Sequence, residues 1–394
     1  MTKKVLFITH EGFGSSIFRS QVIEHCESLL YHGYDFDILT FDTFRKSRKE
    51  SELNTQNYLR WGSRKITLKI GVNKYFPFST LANLFFLWRE IKALFQTQQY
   101  HFIHARADYT ACLCVLLRPL HKLPVVWDCR GDSVDELKFS LEKFSWTYRA
   151  ILTVLLVPRQ RLFRYIASRC AACCICVSSA MQALIHSMNR GLCTFVIPCP
   201  VPGDRFFFSE ERRELMRKDL GVSDDETLFI YSGSMTGYQS IENFVWYYKK
   251  ITSLPKTKIL IATIDKKKAE YLFRSIRSNR ILITTVDYEA MNDLYCAADF
   301  ALMSRNPRPL NYVASPTKFG EYCLTGLSVI HNNSIEQVSR NCNLLQNGFD
   351  LQSWPLVKQS IVSRKEIASK STQLYDRNIL NLIAVECYNN IKLK

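Results

Sequence analysis

No run in the 394-residue sequence reaches the roughly 18–20 apolar residues that cross a bilayer, and the longest, Ile151 to Pro158, is about half of that. The chain is therefore expected to be soluble or peripheral. A secretory segment is also missing. Met1-Thr2-Lys3-Lys4 runs straight into the strand-like Val5-Leu6-Phe7-Ile8, with no cleavage site of small residues. The fourteen cysteines are thus expected to be cytoplasmic thiols, mostly buried as small hydrophobes. Cys170-Ala-Ala-Cys173, followed by Cys174 and Cys176, lacks the second ligand pair that zinc needs, so core packing is the reading and no metal site is expected. Asn332-Asn333-Ser334 fits a glycosylation sequon, which means nothing without secretion. Short repeats and low-complexity tracts are absent too. An apolar fraction of 47% with 22% charged residues excludes wholesale disorder, collagen and coiled coil.

Acidic residues are scarce where basic ones gather. The net charge is +16, and between Lys143 and Gly203 seven basic residues stand with no acidic one. Such a chain seeks anionic partners: nucleic acid, an anionic membrane surface or a phosphorylated substrate.

What is present is a parallel α/β pattern. Lys4–Thr9, Phe36–Phe41, Lys65–Ile70, Phe102–Ala105, Val125–Asp128, Cys174–Val177 and Thr194–Pro198 read as strands, with amphipathic stretches such as Ser16–Leu30, Thr80–Phe95 and Thr110–Leu120 between them. Cys199-Pro200-Val201-Pro202-Gly203 breaks the pattern as a hinge or linker. It then restarts with strands at Thr227–Tyr231, Lys258–Ile264, Arg280–Val286, Phe300–Ser304 and Ser328–His331. Helices are expected at Ser240–Thr252, Lys267–Ser275, Glu289–Ala297 and Pro316–Thr325. The expected architecture is two Rossmann-like domains facing a cleft, residues 1–199 and 200–371. A C-terminal helix, 372–394, could cross back to the first.

Four stretches could carry chemistry. After the first strand, Thr9-His10-Glu11-Gly12-Phe13-Gly14 lets backbone approach a ligand, although the third glycine of a dinucleotide fingerprint is missing; the alternative is a tight βα turn. Asp128-Cys129-Arg130-Gly131-Asp132-Ser133 follows a strand and is dense in charge. Asp128 and Arg130 are the sharper candidates, with His104 and Arg106 at the end of the preceding strand; the alternative is a solvated loop and a helix capped by Asp132 or Ser133. Tyr231-Ser232-Gly233-Ser234-Met235-Thr236-Gly237-Tyr238 could cradle phosphate, or be a generic turn. The fourth stretch carries most weight. Arg305 leads to Ser315-Pro316-Thr317-Lys318-Phe319-Gly320-Glu321, where Ser315 suits an N-cap and Pro316 the first helical turn. The helix start and Lys318 together make an anion site. Glu321, one turn on, could take two hydrogen bonds from vicinal hydroxyls such as those of a ribose. The alternative is an exposed i, i+3 ion pair.

The stretch Ser315–Tyr322 with Gly326-Leu-Ser-Val-Ile330 resembles the donor-site helix of family 4-type glycosyltransferases, which have the two-Rossmann GT-B fold. Tyr288–Asp299, ending in Ala-Ala-Asp, and Asp128-x-Arg130-Gly131 resemble further segments of that family and of a bacterial subgroup making surface polysaccharides. The resemblance implies transfer of a sugar, with retention and without metal or cofactor, from a nucleoside diphosphate donor (UDP preferred, GDP possible). The acceptor it implies is a glycan, commonly polyprenyl-diphosphate-linked, in O-antigen, capsule or other exopolysaccharide synthesis. It also implies that Glu321 holds the ribose hydroxyls. The family's glutamate eight residues earlier is Val313 here, and its Arg and Lys in the loop after the first strand of the second domain are absent. Lys318 and Arg305 are the substitutes. Catalysis then falls to Asp128, Arg130 and Lys318. Donor binding falls to Gly12, Gly14, Gly233, Ser234, Arg305, Ser315, Thr317, Lys318 and Glu321. His10 and Arg106 lie on the acceptor side.

On that reading the basic 143–169 region faces an anionic bilayer. Tyr148, Ile151, Leu152, Leu155 and Leu156 form one apolar stripe, flanked by Arg149, Arg159, Arg161 and Arg164. The expected location is the inner face of the cytoplasmic membrane. A core helix with surface arginines is the alternative. Nucleic-acid binding has only the charge in its favour, since no zinc finger, RNP-type pattern or recognition helix stands out. A sugar-nucleotide epimerase or an inactive homologue would share the fold.

Overall fold

The structure is a computed structural model that describes residues 2–10, 18–43, 66–72, 76, 79–235, 237–276, 278–351 and 360–391. It divides into two compact units: Met1–Ile197 together with Asn381–Lys394, and Pro198–Leu380.

The first unit holds a seven-stranded sheet, entirely parallel: β1 (Lys3–Thr9), β2 (Tyr34–Thr43), β3 (Ile66–Gly71), β4 (Phe102–Arg106), β5 (Val125–Cys129), β6 (Cys173–Cys176) and β7 (Thr194–Val196), in the order β3-β2-β1-β4-β5-β6-β7. The second holds six parallel strands: β8 (Thr227–Ser232), β9 (Thr257–Ala262), β10 (Ile281–Thr284), β11 (Phe300–Met303), β12 (Ser328–His331) and β13 (Gly348–Asp350), in the order β10-β9-β8-β11-β12-β13. Near-continuous apolar strands such as Phe300-Ala-Leu-Met303 suit a sheet buried on both faces. Each sheet reverses its winding once, between β1 and β4 and between β8 and β11. At such a switch point the loops leave in opposite directions and open a crevice beyond the carboxyl ends of the strands. His10 and Arg106 stand at the first crevice, Gly233 and Arg305 at the second.

The structure departs from expectation in several places, the expected Thr110–Leu120 helix being two, Asp108–Leu116 and Arg118–His121. β13 is three residues long, with one large apolar side chain, too little for a strand signal. The Ser240–Thr252 helix starts as a 3-10 turn, Ile241–Phe244, before the α-helix Val245–Ser253. The stretch from Thr372 is not one helix. Helices Ile361–Tyr375 and Arg377–Asn389 meet at Asp376, which is extended at φ −62°, ψ 131°. The Asp376 carboxylate accepts from the Asn378 N–H (2.8 Å) and from the Gly203 N–H (3.1 Å), so one side chain starts the last helix and pins the Pro-Gly segment. Gly203 has no Cβ, and the carboxylate occupies that space.

The last helix brings Tyr388 into the first unit. Its ring lies among Tyr34, Phe36 and Phe102, and its hydroxyl sits 2.9 Å from His104 Nδ1 and 3.4 Å from His25 Nε2.

Candidate active site

In the second unit the site grows from Gly233 and Lys318. Gly233, directly after β8, has φ +132°, a conformation open to glycine, and donates its N–H to the Ala262 carbonyl (2.8 Å). A Cβ there would overlap the Lys318 ammonium. The lysine therefore lies on the glycine, with its Nζ also 5.8 Å from the centre of the Tyr231 ring. Among the described residues, Lys318 makes no ion pair or hydrogen bond. Burial lowers its pKa to about 8, and the like charge of Arg305 works the same way, against an upward pull from Glu321. Arg305 is buried after β11. It holds its loop by an exchange with Asn332, the Arg305 N–H giving to Asn332 Oδ1 (3.3 Å) and Asn332 Nδ2 to the Arg305 carbonyl (2.7 Å). Two cations with no carboxylate paired to Lys318 are a site for an anion.

Glu321, one turn along the Thr317–Leu324 helix, is not the exposed partner of an ion pair. It is 3% exposed, and its oxygens accept from Tyr295 Oη (2.8 Å) and Tyr288 Oη (3.2 Å). Burial raises its pKa, opposed by the Tyr295 hydrogen bond, Lys318, the Tyr288 hydrogen bond and Arg205. Each oxygen retains a lone pair for a further donor.

Two residues expected to bind the donor are engaged elsewhere. Ser315 does not cap the helix. The Thr317–Leu324 helix begins after Pro316 with no side-chain cap, while Ser315 Oγ accepts from the Cys199 N–H (3.0 Å). The helix therefore starts without a side-chain cap, at half-buried Thr317 and Lys318. The Ser234 hydroxyl donates to Asp265 Oδ2 (2.7 Å), which also accepts from the Met235 N–H (2.8 Å); it ties the loop down rather than facing a ligand. Gly12 and Gly14 lie outside the described residues.

In the first unit Asp128 is fully buried. Arg130 Nε approaches both its oxygens (2.7 and 2.9 Å), and Arg106 Nη1 and His104 Nε2 each lie 3.4 Å from Oδ2. Burial alone would raise the Asp128 pKa; Arg130, His104 and Arg106 outweigh it and hold the carboxyl far below the usual range. A carboxylate so enclosed has no face for an acceptor, and its chemistry is to align the two guanidiniums. Arg106 is anchored from its other end by Gln21 Oε1 (2.7 Å). His10 Nδ1 lies 2.9 Å from Thr110 Oγ1, its ring stacked on Phe41. Asp132 is the N-cap of the Ser133–Leu141 helix and, with Asp108, pairs with buried Arg164.

Arg164 belongs to a 25-residue helix, Trp146–Cys170, whose apolar residues face two ways. Leu152 and Leu156 pack on Val134, Leu137 and Leu141. Tyr148, Ile151, Leu155, Leu162 and Tyr165, at heptad spacing, are each about half exposed, and Trp146 is 82% exposed. The single expected stripe is therefore two, one in the core and one outward. Arg149 and Arg161 stand exposed beside the outer one, and Arg159 is half-buried.

Reading the sequence alone missed Tyr288 and Tyr295, which donate to Glu321, the contacts of Ser232 and Tyr322 behind them, and Arg205, over the Tyr288 ring at 5.1 Å. The available signal was the i, i+7 tyrosine pair in Tyr288–Asp299. Among the described residues no group of three His, Cys, Asp or Glu could hold a metal ion, and no helix is long and apolar enough to cross a membrane.

Residues 20–205 match the model of the family described as Glycosyltransferase Family 4. No curated protein sequence matches the chain. Among solved structures the chain is similar to a sucrose-phosphate synthase from Thermosynechococcus elongatus (14% identity, TM-score 0.67, covering 98% of each chain). It is similar to Anabaena HepE in complex with UDP (14%, 0.68, 98% of this chain and 99% of that one). It is also similar to WaaG, a glycosyltransferase involved in lipopolysaccharide biosynthesis (13%, 0.56, 99% and 96%). The fold is thus the GT-B arrangement of two Rossmann-like units.

Proposed function

From the premise that this GT-B chain with a Glycosyltransferase Family 4 domain is a glycosyltransferase, we propose that it moves a sugar, with retention, from a UDP-type donor to a glycan carried on a lipid. The observation that carries the donor half is the Lys318 ammonium lying on Gly233 with no ion pair among the described residues, beside Arg305 and one helical turn from Glu321. A nucleoside diphosphate fits that set: two cations for the diphosphate, a buried carboxylate for vicinal ribose hydroxyls. UDP and UDP-glucose complexes of HepE support UDP over GDP.

The chemistry follows from charge. Departure of the diphosphate places negative charge near Lys318, Arg305 and the positive end of the Thr317–Leu324 helix, which stabilise it more as it grows. The sugar carbon becomes oxocarbenium-like, the acceptor hydroxyl enters on the same face, and a phosphate oxygen takes its proton. Arg106 and Arg130, held in line by Asp128, are the acceptor-side groups. This reading needs no base from Asp128 and no metal or cofactor.

The test is thermal shift with UDP, GDP and their sugars on the wild type and Glu321→Ala. A ligand at about 100 times its Kd stabilises the folded state by roughly 2.7 kcal/mol. Stabilisation by one nucleoside diphosphate, lost in the variant, is expected. A wild type that responds to no nucleotide sinks the donor site.

The lipid half rests on the outward stripe of the Trp146–Cys170 helix, exposed arginines beside it and no acidic residue from Lys143 to Gly203. Amphipathic helices of this kind lie in the interface of anionic bilayers, which supports our reading of an enzyme at the inner face of the cytoplasmic membrane; a role in surface-polysaccharide synthesis is part of the same proposal. Wild type is expected to co-sediment with vesicles containing anionic phosphatidylglycerol and less with purely zwitterionic ones. The triple change Trp146→Ser, Ile151→Ser, Leu155→Ser is expected to reduce binding at least tenfold. Equal sedimentation of variant and wild type removes the helix from the account.

A further inference from the structure

Behind Glu321 runs a closed chain of hydroxyl groups. Tyr295 Oη is 2.8 Å from Glu321 Oε2, Ser232 Oγ is 2.9 Å from Tyr295 Oη, and Tyr322 Oη is 2.8 Å from Ser232 Oγ. The Ser232 N–H returns to Tyr322 Oη at 3.3 Å. Ser232, Tyr295, Tyr322 and Glu321 are all buried.

Hydrogen counting fixes every direction. An ionised carboxylate only accepts, so Tyr295 spends its one hydrogen on Glu321. Its oxygen must then accept from Ser232, whose own hydrogen is thereby used. Tyr322 must donate to Ser232 Oγ, and its oxygen takes the Ser232 N–H. Four donors meet four acceptors, with none left over. A charged Glu321 makes this order the required one; a protonated Glu321 keeps acceptor oxygens but adds a hydrogen of its own, so Tyr295 is then no longer bound to donate to it. Ser232 also directly precedes Gly233, so the same residue that closes the chain sets the loop on which Lys318 lies.

We propose that Tyr295, backed by Ser232 and Tyr322, is a positioning residue that aims the Glu321 carboxylate at the donor's ribose and ties that aim to the diphosphate loop at Gly233. The inference rests on the donor-site reading above. The other charged and titratable groups facing Glu321 are Lys318, Arg205 and Tyr288, and none of them belongs to the chain.

The test is calorimetric titration of UDP, and separately of inorganic pyrophosphate, into wild type, Tyr295→Phe, Ser232→Ala and Glu321→Gln across pH. A hydrogen bond given to a carboxylate favours its charged form, so its loss raises the pH at which Glu321 takes a proton. UDP affinity should fall at acid pH, and in Tyr295→Phe that fall should move upward by about one pH unit, with a roughly tenfold weaker affinity below the new midpoint. Pyrophosphate binding should stay as in wild type. In turnover the donor KM should rise with kcat little changed. Ser232→Ala should shift in the same direction by less, and it serves should Tyr295→Phe not fold. An unmoved acid limb in folded Tyr295→Phe and Ser232→Ala, while Glu321→Gln binds UDP weakly, overturns the positioning role alone. UDP binding by Glu321→Gln as tight as wild type overturns the donor-site reading, and the inference with it.

Discussion

Gly233→Ala is expected to lower donor turnover about 10²–10³-fold, the size of effect seen when one group stabilising a leaving oxyanion is lost. The φ of +132° strains any side chain at this position, and the new methyl would occupy the space of the Lys318 ammonium, with Lys318 Cε 2.8 Å away. The lysine has to swing out, and the diphosphate loses its nearest cation. Lys318→Met should match the loss without the backbone strain. If the clash is the cause, Gly233→Ala in a Lys318→Ala background should cost much less than in wild type, which a double-mutant cycle measures directly. Full additivity would place the damage in the backbone instead. The pH dependence carries the same signature. The ammonium is charged below about pH 8, so wild-type affinity for UDP should decline as pH rises through that value, and Lys318→Met should flatten the decline. Stability of the ligand-free protein should run the other way. Between about pH 8 and the ordinary lysine value of 10.5 the unfolded chain holds the proton that the folded one has released, so Lys318 makes stability rise with pH there. Opposite slopes for binding and folding, both lost on one substitution, would be hard to produce by a residue outside the site.

Tyr388→Ala is expected to destabilise the first unit by about 3–5 kcal/mol, the range for deleting a buried aromatic side chain. Tyr388 is 3% exposed, with ring centres of Phe102 and Tyr34 at 4.9 and 5.1 Å. Its hydroxyl has a defined task. Asp128 accepts only, so a neutral His104 carries its hydrogen on Nε2, and its Nδ1 accepts from Tyr388. Burial lowers the pKa of both His104 and His25, which keeps both rings neutral. Tyr388→Phe keeps the ring but leaves His104 Nδ1 unpartnered, at a cost of about 1–3 kcal/mol. Calorimetry should show the first-unit transition falling by roughly 6–20 °C for the alanine variant and by less for phenylalanine. An unchanged transition for Tyr388→Ala would mean that the helix does not hold the unit together.

The sheets were legible in the sequence because buried parallel strands are short apolar runs with turn chemistry on both sides. The anion site was legible as well, since Lys318 and Glu321 share one helical turn and need no distant partner to be seen together. What stayed hidden depends on residues far apart in the chain. Ser315 has the composition of a cap, yet Cys199, on the other side of β8 and β11, claims its hydroxyl. Asp128 has the density of a catalytic loop, yet His104, Arg106 and Arg130 close around it. The Trp146–Cys170 helix carries more apolar residues than one face can hold. Periodicity marks such a surplus but does not say which half turns inward; the core under the Ser133–Leu141 helix decides it. Tyr295 looked like helix filling, because a tyrosine pair seven residues apart gains meaning only once Glu321 is placed between the hydroxyls.

Tyr388 also sets an order of events during synthesis. Val5, Phe36 and Phe102 leave the ribosome early, while the ring that covers Phe36 and Phe102 follows the entire second unit in the chain. For that interval the residues of the seven-stranded sheet lack the Tyr388 ring and the hydroxyl that lies beside His104 and His25. The second unit is therefore synthesised before its predecessor is complete, and transiently exposed apolar surface is what chaperones cover. A premature stop between Leu380 and Tyr388 would leave both sheets translated in full and the first without the ring that packs on Phe36 and Phe102.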